Sequence, residues 1–162
     1  MSGNPDPRLI LRDEELDAGL ELLLLAESAL WAATDAALEP EGKRLGRSHY
    51  RTLFLLKRRP GLGVRELARL TALSKQGASR TLGELAKLGL VEKGSGEGDA
   101  RRRPATLTRE GAQVEGRVSE RLRTLLARSY RSGGLDAVAG ARRILTALAG
   151  GRMAIGRPGP EL

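Results

Sequence analysis

From Asp13 to Leu38 the apolar positions Leu16, Leu20, Leu23, Leu24, Leu30 and Trp31 recur at steps near three and four. That spacing lines side chains along one side of a helix. The helix is long, roughly 25 residues or ~37 Å at 1.5 Å per residue, and its apolar surface is broader than one neighbouring helix would cover. Glu39-Pro40-Glu41-Gly42 breaks the pattern, as proline and glycine do. A second helix is predicted over 47–59, with Tyr50, Leu53, Phe54 and Leu56 inward and Pro60-Gly61 as its stop. A short third helix, 64–70, turns Val64, Leu67 and Ala68 to one face. Thr71-Ala72-Leu73 makes a tight turn, after which Ser74 suits an N-cap, its hydroxyl able to take a free amide of the next turn. The fourth helix runs to about Leu88, with Gly89 as a left-handed stop.

Leu90-Val91-Glu92-Lys93 changes to strand chemistry, and Gly94 to Asp99 is rich enough in glycine to turn the chain. Residues 102–107 can return as the partner strand, which Pro104 restricts to an edge because it lacks a ladder donor. Thr108 then caps a fifth helix, with Glu110 at its positive end and Val114, Val118, Leu122, Leu125 and Leu126 as its stripe. Arg131-Ser132-Gly133-Gly134 ends that helix. Leu135, Val138, Ile144, Leu145 and Leu148 mark a sixth, which Gly150-Gly151 closes. Residues 1–12 and 150–162, rich in proline and glycine, are expected to be a loose arm and tail. No internal repeat is visible. The fold class is mostly α with a small β-hairpin.

Composition narrows the chemistry. Aromatics are only 2% of the 162 residues, so the core must be aliphatic, and so short a chain is expected to bury more apolar area with a second copy. There is no Cys, which removes disulfides, thiolate nucleophiles, Cys-ligated zinc and thiol-based oxidation sensing. One His, His49, cannot make a multi-His metal site, and no G-x-S-x-G turn accompanies it. No catalytic, metal or cofactor constellation stands out, and the glycines at 94–98 lack the strand–glycine–helix context of a phosphate cradle. No apolar run is long enough to span a bilayer, and the acidic start is the wrong sign for a secretory signal, so a cytoplasmic protein without a membrane partner is expected.

Charge is unevenly placed. Residues 1–39 carry 2 basic and 9 acidic side chains, residues 40–110 carry 17 and 7, and residues 111–162 carry 9 and 4. The middle third is the cationic part, and a concentrated positive field attracts polyanions. Within it the order is helix, short helix, tight turn, capped helix and two-stranded ribbon. A helix-turn-helix needs a small buried surface on each side of its turn and a polar outer face on its second helix. Ala78, Leu82, Leu85 and Leu88 fall on the inner side of the fourth helix, whereas Gln76, Arg80, Gly83 and Lys87 fall on the opposite side, with Lys75 and Ser79 beside them. Such a face has donors and little bulk, which suits a groove about 12 Å wide. Arg can read guanine and Gln adenine by paired hydrogen bonds, while Lys87 is better placed for a phosphate. Arg101, Arg102 and Arg103, at a slender hairpin beside Asp99, suit a narrow minor groove, with Asp99 holding the tip in shape.

Five stretches together carry a resemblance. They are Val64-Arg65-Glu66-Leu67-Ala68, then Ser74-Lys75-Gln76-Gly77-Ala78-Ser79-Arg80, then Leu85 with Leu88-Gly89-Leu90-Val91, then Asp99-Ala100-Arg101-Arg102, then Leu107-Thr108 with Gly111. In this order they resemble the winged helix-turn-helix of the MarR (multiple-antibiotic-resistance regulator) family of bacterial transcription factors. The resemblance implies a single domain over 13–149, with 13–39 and 109–149 as dimerisation helices and 43–108 as the DNA-binding lobe. It further implies a homodimer on a palindromic operator in double-stranded DNA, acting mainly as a repressor. Ser74, Lys75, Gln76, Ser79 and Arg80 would form the major-groove set and Arg101 and Arg102 the wing contacts, with Arg103 less secure. A small-molecule effector is also implied, in a pocket that Trp31, His49 and Tyr50 could line, although packing is the plainer role for these three. The competing expectation is a winged-helix module for protein association or membrane-surface attachment, since a fold does not fix a function.

Overall fold

A computed structural model describes residues 10–42, 44–94, 104–150 and 152. The elements run in the order α1 (Asp13–Leu38), a 3-10 turn (Glu39–Glu41), α2 (Arg47–Arg58), α3 (Val64–Thr71), α4 (Lys75–Lys87), β1 (Val91–Lys93), β2 (Ala105–Leu107) and α5 (Arg109–Ala149). Local chemistry sets most of these ends. At the start of α1 the Arg12 N–H donates to the Glu15 carboxylate at 2.9 Å, and Asp13, Glu14 and Glu15 face the positive end of the helix. Pro40 tightens its exit into the 3-10 turn. The Gly63 N–H donates to Glu66 at 2.8 Å to open α3. Gly89 stops α4 at φ +70, a conformation that costs a residue without Cβ little.

The core joins α2, α3, α4, the ribbon and the first turns of α5. Leu53 and Leu56 meet Leu62 and Leu67, then Ala78, Leu82 and Leu85, then Leu90, Val91, Ala105 and Val114. A second, smaller cluster of Ala37, Leu38, Tyr50 and Val118, with Leu45, Phe54 and Leu122 against it, ties the end of α1 to α2 and α5. Polar bonds reinforce this joint. Arg47 forks onto Asp35 with its shortest contact at 2.6 Å, Arg117 forks onto Glu41, and Arg121 donates to the Ala36 carbonyl. Deeper in, the buried Glu115 accepts from Ser119 and lies 2.7 Å from Lys57 Nζ, while Ser119 shares a 2.9 Å bond with the Tyr50 hydroxyl. Burial pushes that hydroxyl above its ordinary titration range.

Beyond this joint the helices stand largely uncovered. Leu16, Leu20, Leu22 to Leu25 and Leu30 on α1 are exposed, as are Leu135, Ile144, Leu145 and Leu148 on α5. Two helices are expected after Thr108, and α5 consists of two: they meet at a kink at Gly134, whose φ of +78 and ψ of 174 leave the helical region. The kink falls at the end of the expected break (131–134). β2 starts at Ala105, so Arg102 and Arg103, expected in that strand, lie outside the described residues.

Candidate nucleic-acid interface

The helix pair α3 and α4 meets through a turn in which Ala72 takes a left-handed conformation, φ 57. Ser74 then fulfils its capping pattern, its Oγ accepting from the Gly77 N–H at 3.0 Å. Position 77 suits a glycine, because a Cβ there would sit 3.2 Å from that same Oγ. The first turn of α4 contains no acidic residue, so its free amides and Lys75 present an unopposed positive end. Ala78, Thr81, Leu82 and Leu85 are buried, and Lys75, Gln76, Ser79, Arg80 and Lys87 are exposed. The sequence pattern is therefore realised as one inward apolar stripe and one outward polar face, about 20 Å long for 13 residues.

Behind this face the ribbon is anchored at its base. Val91 pairs with Leu107, Glu92 with Thr106 and Lys93 with Ala105, and the Gly94 N–H adds a 2.9 Å bond to the Pro104 carbonyl. Ala105 N–H reaches the Leu62 carbonyl at 3.3 Å, fastening the ribbon to the segment before α3. Thr108 is the rivet of the whole arrangement. Its hydroxyl donates to the Gly89 carbonyl at 2.7 Å and accepts from the Gly111 N–H at 3.0 Å, while its own N–H donates to the Leu90 carbonyl at 3.1 Å. A Cβ on Gly111 would collide with that Leu90 carbonyl. Two of the five stretches singled out in the sequence, Leu88 to Val91 and Leu107 to Gly111, thus converge on one junction. Asp99, Arg101, Arg102 and Arg103, expected at the ribbon tip, lie outside the described residues.

Trp31, His49 and Tyr50 have separate partners. Trp31 donates to Glu27 at 3.2 Å and lies under the guanidinium groups of Arg47 and Arg51, 5.8 and 5.5 Å from its ring centre. Tyr50 faces Ser119. His49 accepts from the Gly46 N–H through Nδ1 at 2.9 Å, and its Nε2 is 2.8 Å from Glu84 Oε2 on α4. Glu84 also places Oε1 3.8 Å from Arg80 Nε. Sequence reasoning passed over Glu84. Its only local signal is the four-residue step from Arg80, since His49 is 35 positions away. Among the described residues, no group of three or more His, Cys, Asp or Glu is placed to hold a metal ion, and no helix is long and apolar enough to cross a membrane.

Comparison with known proteins adds to this geometry. The MarR family sequence profile matches residues 45–102. The HTH-type transcriptional regulator PetP of Rhodobacter capsulatus is 37% identical over 140 residues, covering 86% of this chain and 83% of PetP. Among solved structures, the Mycobacterium tuberculosis MarR family protein Rv2887 in complex with DNA is 28% identical with a TM-score of 0.59, over 79% of this chain and 94% of that one. The same protein in complex with salicylic acid is 29% identical with a TM-score of 0.59, over 78% and 93%. A relative this similar over most of both chains, together with the α3–α4 pair and the ribbon riveted by Thr108, places the chain in the MarR family of winged helix-turn-helix, DNA-binding transcriptional regulators.

Proposed function

We propose that the protein is a cytoplasmic homodimer that binds a palindromic operator and represses transcription by occluding a promoter. Each chain lays α4 in the major groove and the ribbon tip, with Arg101, Arg102 and Arg103, in the adjacent minor groove, and Asp99 steadies the tip. The observation that carries this is the outward face of α4, where Lys75, Gln76, Ser79 and Arg80 are exposed together over a buried stripe. Arg80 and Gln76 read base edges, Ser74, Lys75 and Ser79 position the first turn, and Lys87 meets a phosphate. The exposed leucines of α1 and of α5 beyond Gly134 support pairing with a second copy, and a two-fold protein reads a two-fold site with half-sites about 10 bp apart.

A small-molecule effector is part of the reading, because Rv2887 is described in complex with salicylic acid. The joint bearing Trp31, His49 and Tyr50 is its proposed place. There the partly desolvated Arg51, its guanidinium pKa lowered by burial, would gain from a weak organic acid.

The test is binding to the DNA upstream of the protein's own gene against excess random duplex. Binding should weaken steeply with salt, by roughly 0.9 log units per log unit for each phosphate neutralised. Arg80→Ala should cost ~1–3 kcal/mol of discrimination at one base pair in each half-site. Arg101→Ala should weaken all sequences alike. Equal retention of specific and random duplex by the wild-type protein would favour the association module instead.

A further inference from the structure

We propose that His49 is a positioning residue for base reading, which acts through Glu84 to set the direction in which Arg80 presents its guanidinium. The proposal rests on the placement of α4 against DNA given above.

A carboxylate on a DNA-facing helix calls for a reason, since it repels the phosphates that the neighbouring Lys75, Arg80 and Lys87 attract. Glu84 is such a group, 46% exposed and one turn beyond Arg80. Its two oxygens are engaged differently. Oε2 is 2.8 Å from His49 Nε2, and Oε1 faces Arg80 Nε at 3.8 Å. The imidazole is the fixed end of this chain. Its side chain is only 15% exposed, and its Nδ1 takes the first free amide of α2, the Gly46 N–H, at 2.9 Å. A nitrogen that accepts from an N–H carries a lone pair, so the ring proton sits on Nε2 and is donated to Glu84. The ring cannot swing away without uncapping α2, and α2 is packed on α4 through Leu53, Leu56, Leu82 and Leu85.

The consequence falls on Arg80. At 80% exposure its side chain has little else to hold it. A carboxylate steadied from behind draws the Nε edge of the guanidinium inward and leaves the two Nη groups facing out. That is the pair a guanine needs for its O6 and N7. Narrowing the rotamers of Arg80 before contact lowers the entropy lost on binding at the one base pair it reads. The benefit is therefore to discrimination and not to general affinity. Because the relay starts on α2 and ends on α4, it also makes reading sensitive to the position of α2.

Two substitutions separate this role from simple capping. Glutamine and glutamate at the third helical position both cap the backbone N–H that His49 caps now. His49→Gln keeps a donor for Glu84, whereas His49→Glu sets a like charge against it. The measurements are affinities for the operator, for an operator altered at the base pair that Arg80→Ala identifies, and for random duplex, each beside a thermal melt. The expected result is that His49→Glu and Glu84→Gln each lose about fivefold in discrimination, that His49→Gln stays within about twofold of wild type, and that random-duplex affinity does not fall in any of them. In an Arg80→Ala background the same changes should have no further effect on discrimination.

His49 is the single histidine of the chain, so its ring nitrogens can be followed without ambiguity by 15N NMR in the DNA-free protein. The neutral ring is expected as its Nε2–H tautomer, since Nδ1 accepts from the Gly46 N–H. The Nδ1–H tautomer, equal discrimination by His49→Glu and wild type, or an undiminished effect in the Arg80→Ala background would overturn the relay while leaving operator binding intact. A protein with the expected tautomer but no operator preference would instead remove the DNA reading, and the relay's purpose with it.

Discussion

Inside the lobe of α2, α3, α4 and the ribbon, Leu53, Leu85 and Leu90 are wholly removed from solvent. On α1, Leu22, Leu24 and Leu25 keep 67%, 65% and 60% of their surface, and on α5 Leu135 keeps 86%. The two regions are written in the same aliphatic alphabet with the same helical period. They differ in where the covering surface comes from. In the lobe, short helices and tight turns bring each apolar stripe against another within about 50 residues of chain. Past the Tyr50–Val118 cluster, most large apolar side chains described on α1 and α5 stay exposed, although the end of α5 returns to the lobe, where the Arg152 carbonyl accepts from Arg59 at 3.1 Å. Leaving a leucine in water forgoes ~1.5–3 kcal/mol each, so the proposed second copy is the natural cover. A periodic leucine pattern therefore identifies a face to be buried without saying by which chain.

The sharpest way to break this contrast is to charge the uncovered side. Leu20→Glu combined with Leu24→Glu, one turn apart, should convert the proposed dimer to a monomer in sedimentation while helical circular dichroism from the lobe persists. Operator affinity should fall on the order of 10²- to 10⁴-fold as the two half-sites lose their linkage. A dimer that survives both charges would place the interface elsewhere.

Next in size is a test of the closed lobe. Gly111→Ala puts a methyl into the Leu90 carbonyl at the junction that Thr108 rivets, and should lower stability by about 3 kcal/mol in urea unfolding. An unchanged midpoint would show that α5 can shift freely against the ribbon.

The smallest expected effect lies between the two regions, at the exposed Asp35–Arg47 pair. Hydrogen bonding to Arg47 holds the Asp35 carboxyl below its ordinary range, so its stabilisation is present above the unfolded carboxylate pKa and is lost as pH falls through the lowered one. Melting curves of wild type and Asp35→Asn should therefore differ slightly near neutrality and converge in acid. A gap that widens on acidification would contradict the assignment.

Much of the lobe was legible because its signals are local. A serine before an amphipathic run caps α4, a glycine after it stops α4, and a threonine opens α5; each needs only its own turn of backbone. The polar outer face of α4 followed from the period of its apolar residues alone. The buried Glu115 with Lys57 did not, nor did the approach of Gly111 to Leu90, because both depend on elements that meet only after folding. The break between the two helices of α5 was legible too, because Gly133-Gly134 marks it and Gly134 leaves the helical region there.

The sequence by itself determined the order and ends of the elements, the cationic middle third and the side of α4 that faces outward, since each of these is set within one or two turns of chain. Tertiary structure decided that Thr108 joins the end of α4 to the start of α5, that His49 reaches Glu84 across 35 positions, and that the leucines of α1 are left bare. Those facts depend on distances between segments that no local pattern encodes. They arise when packing of the shared core fixes where each helix stands.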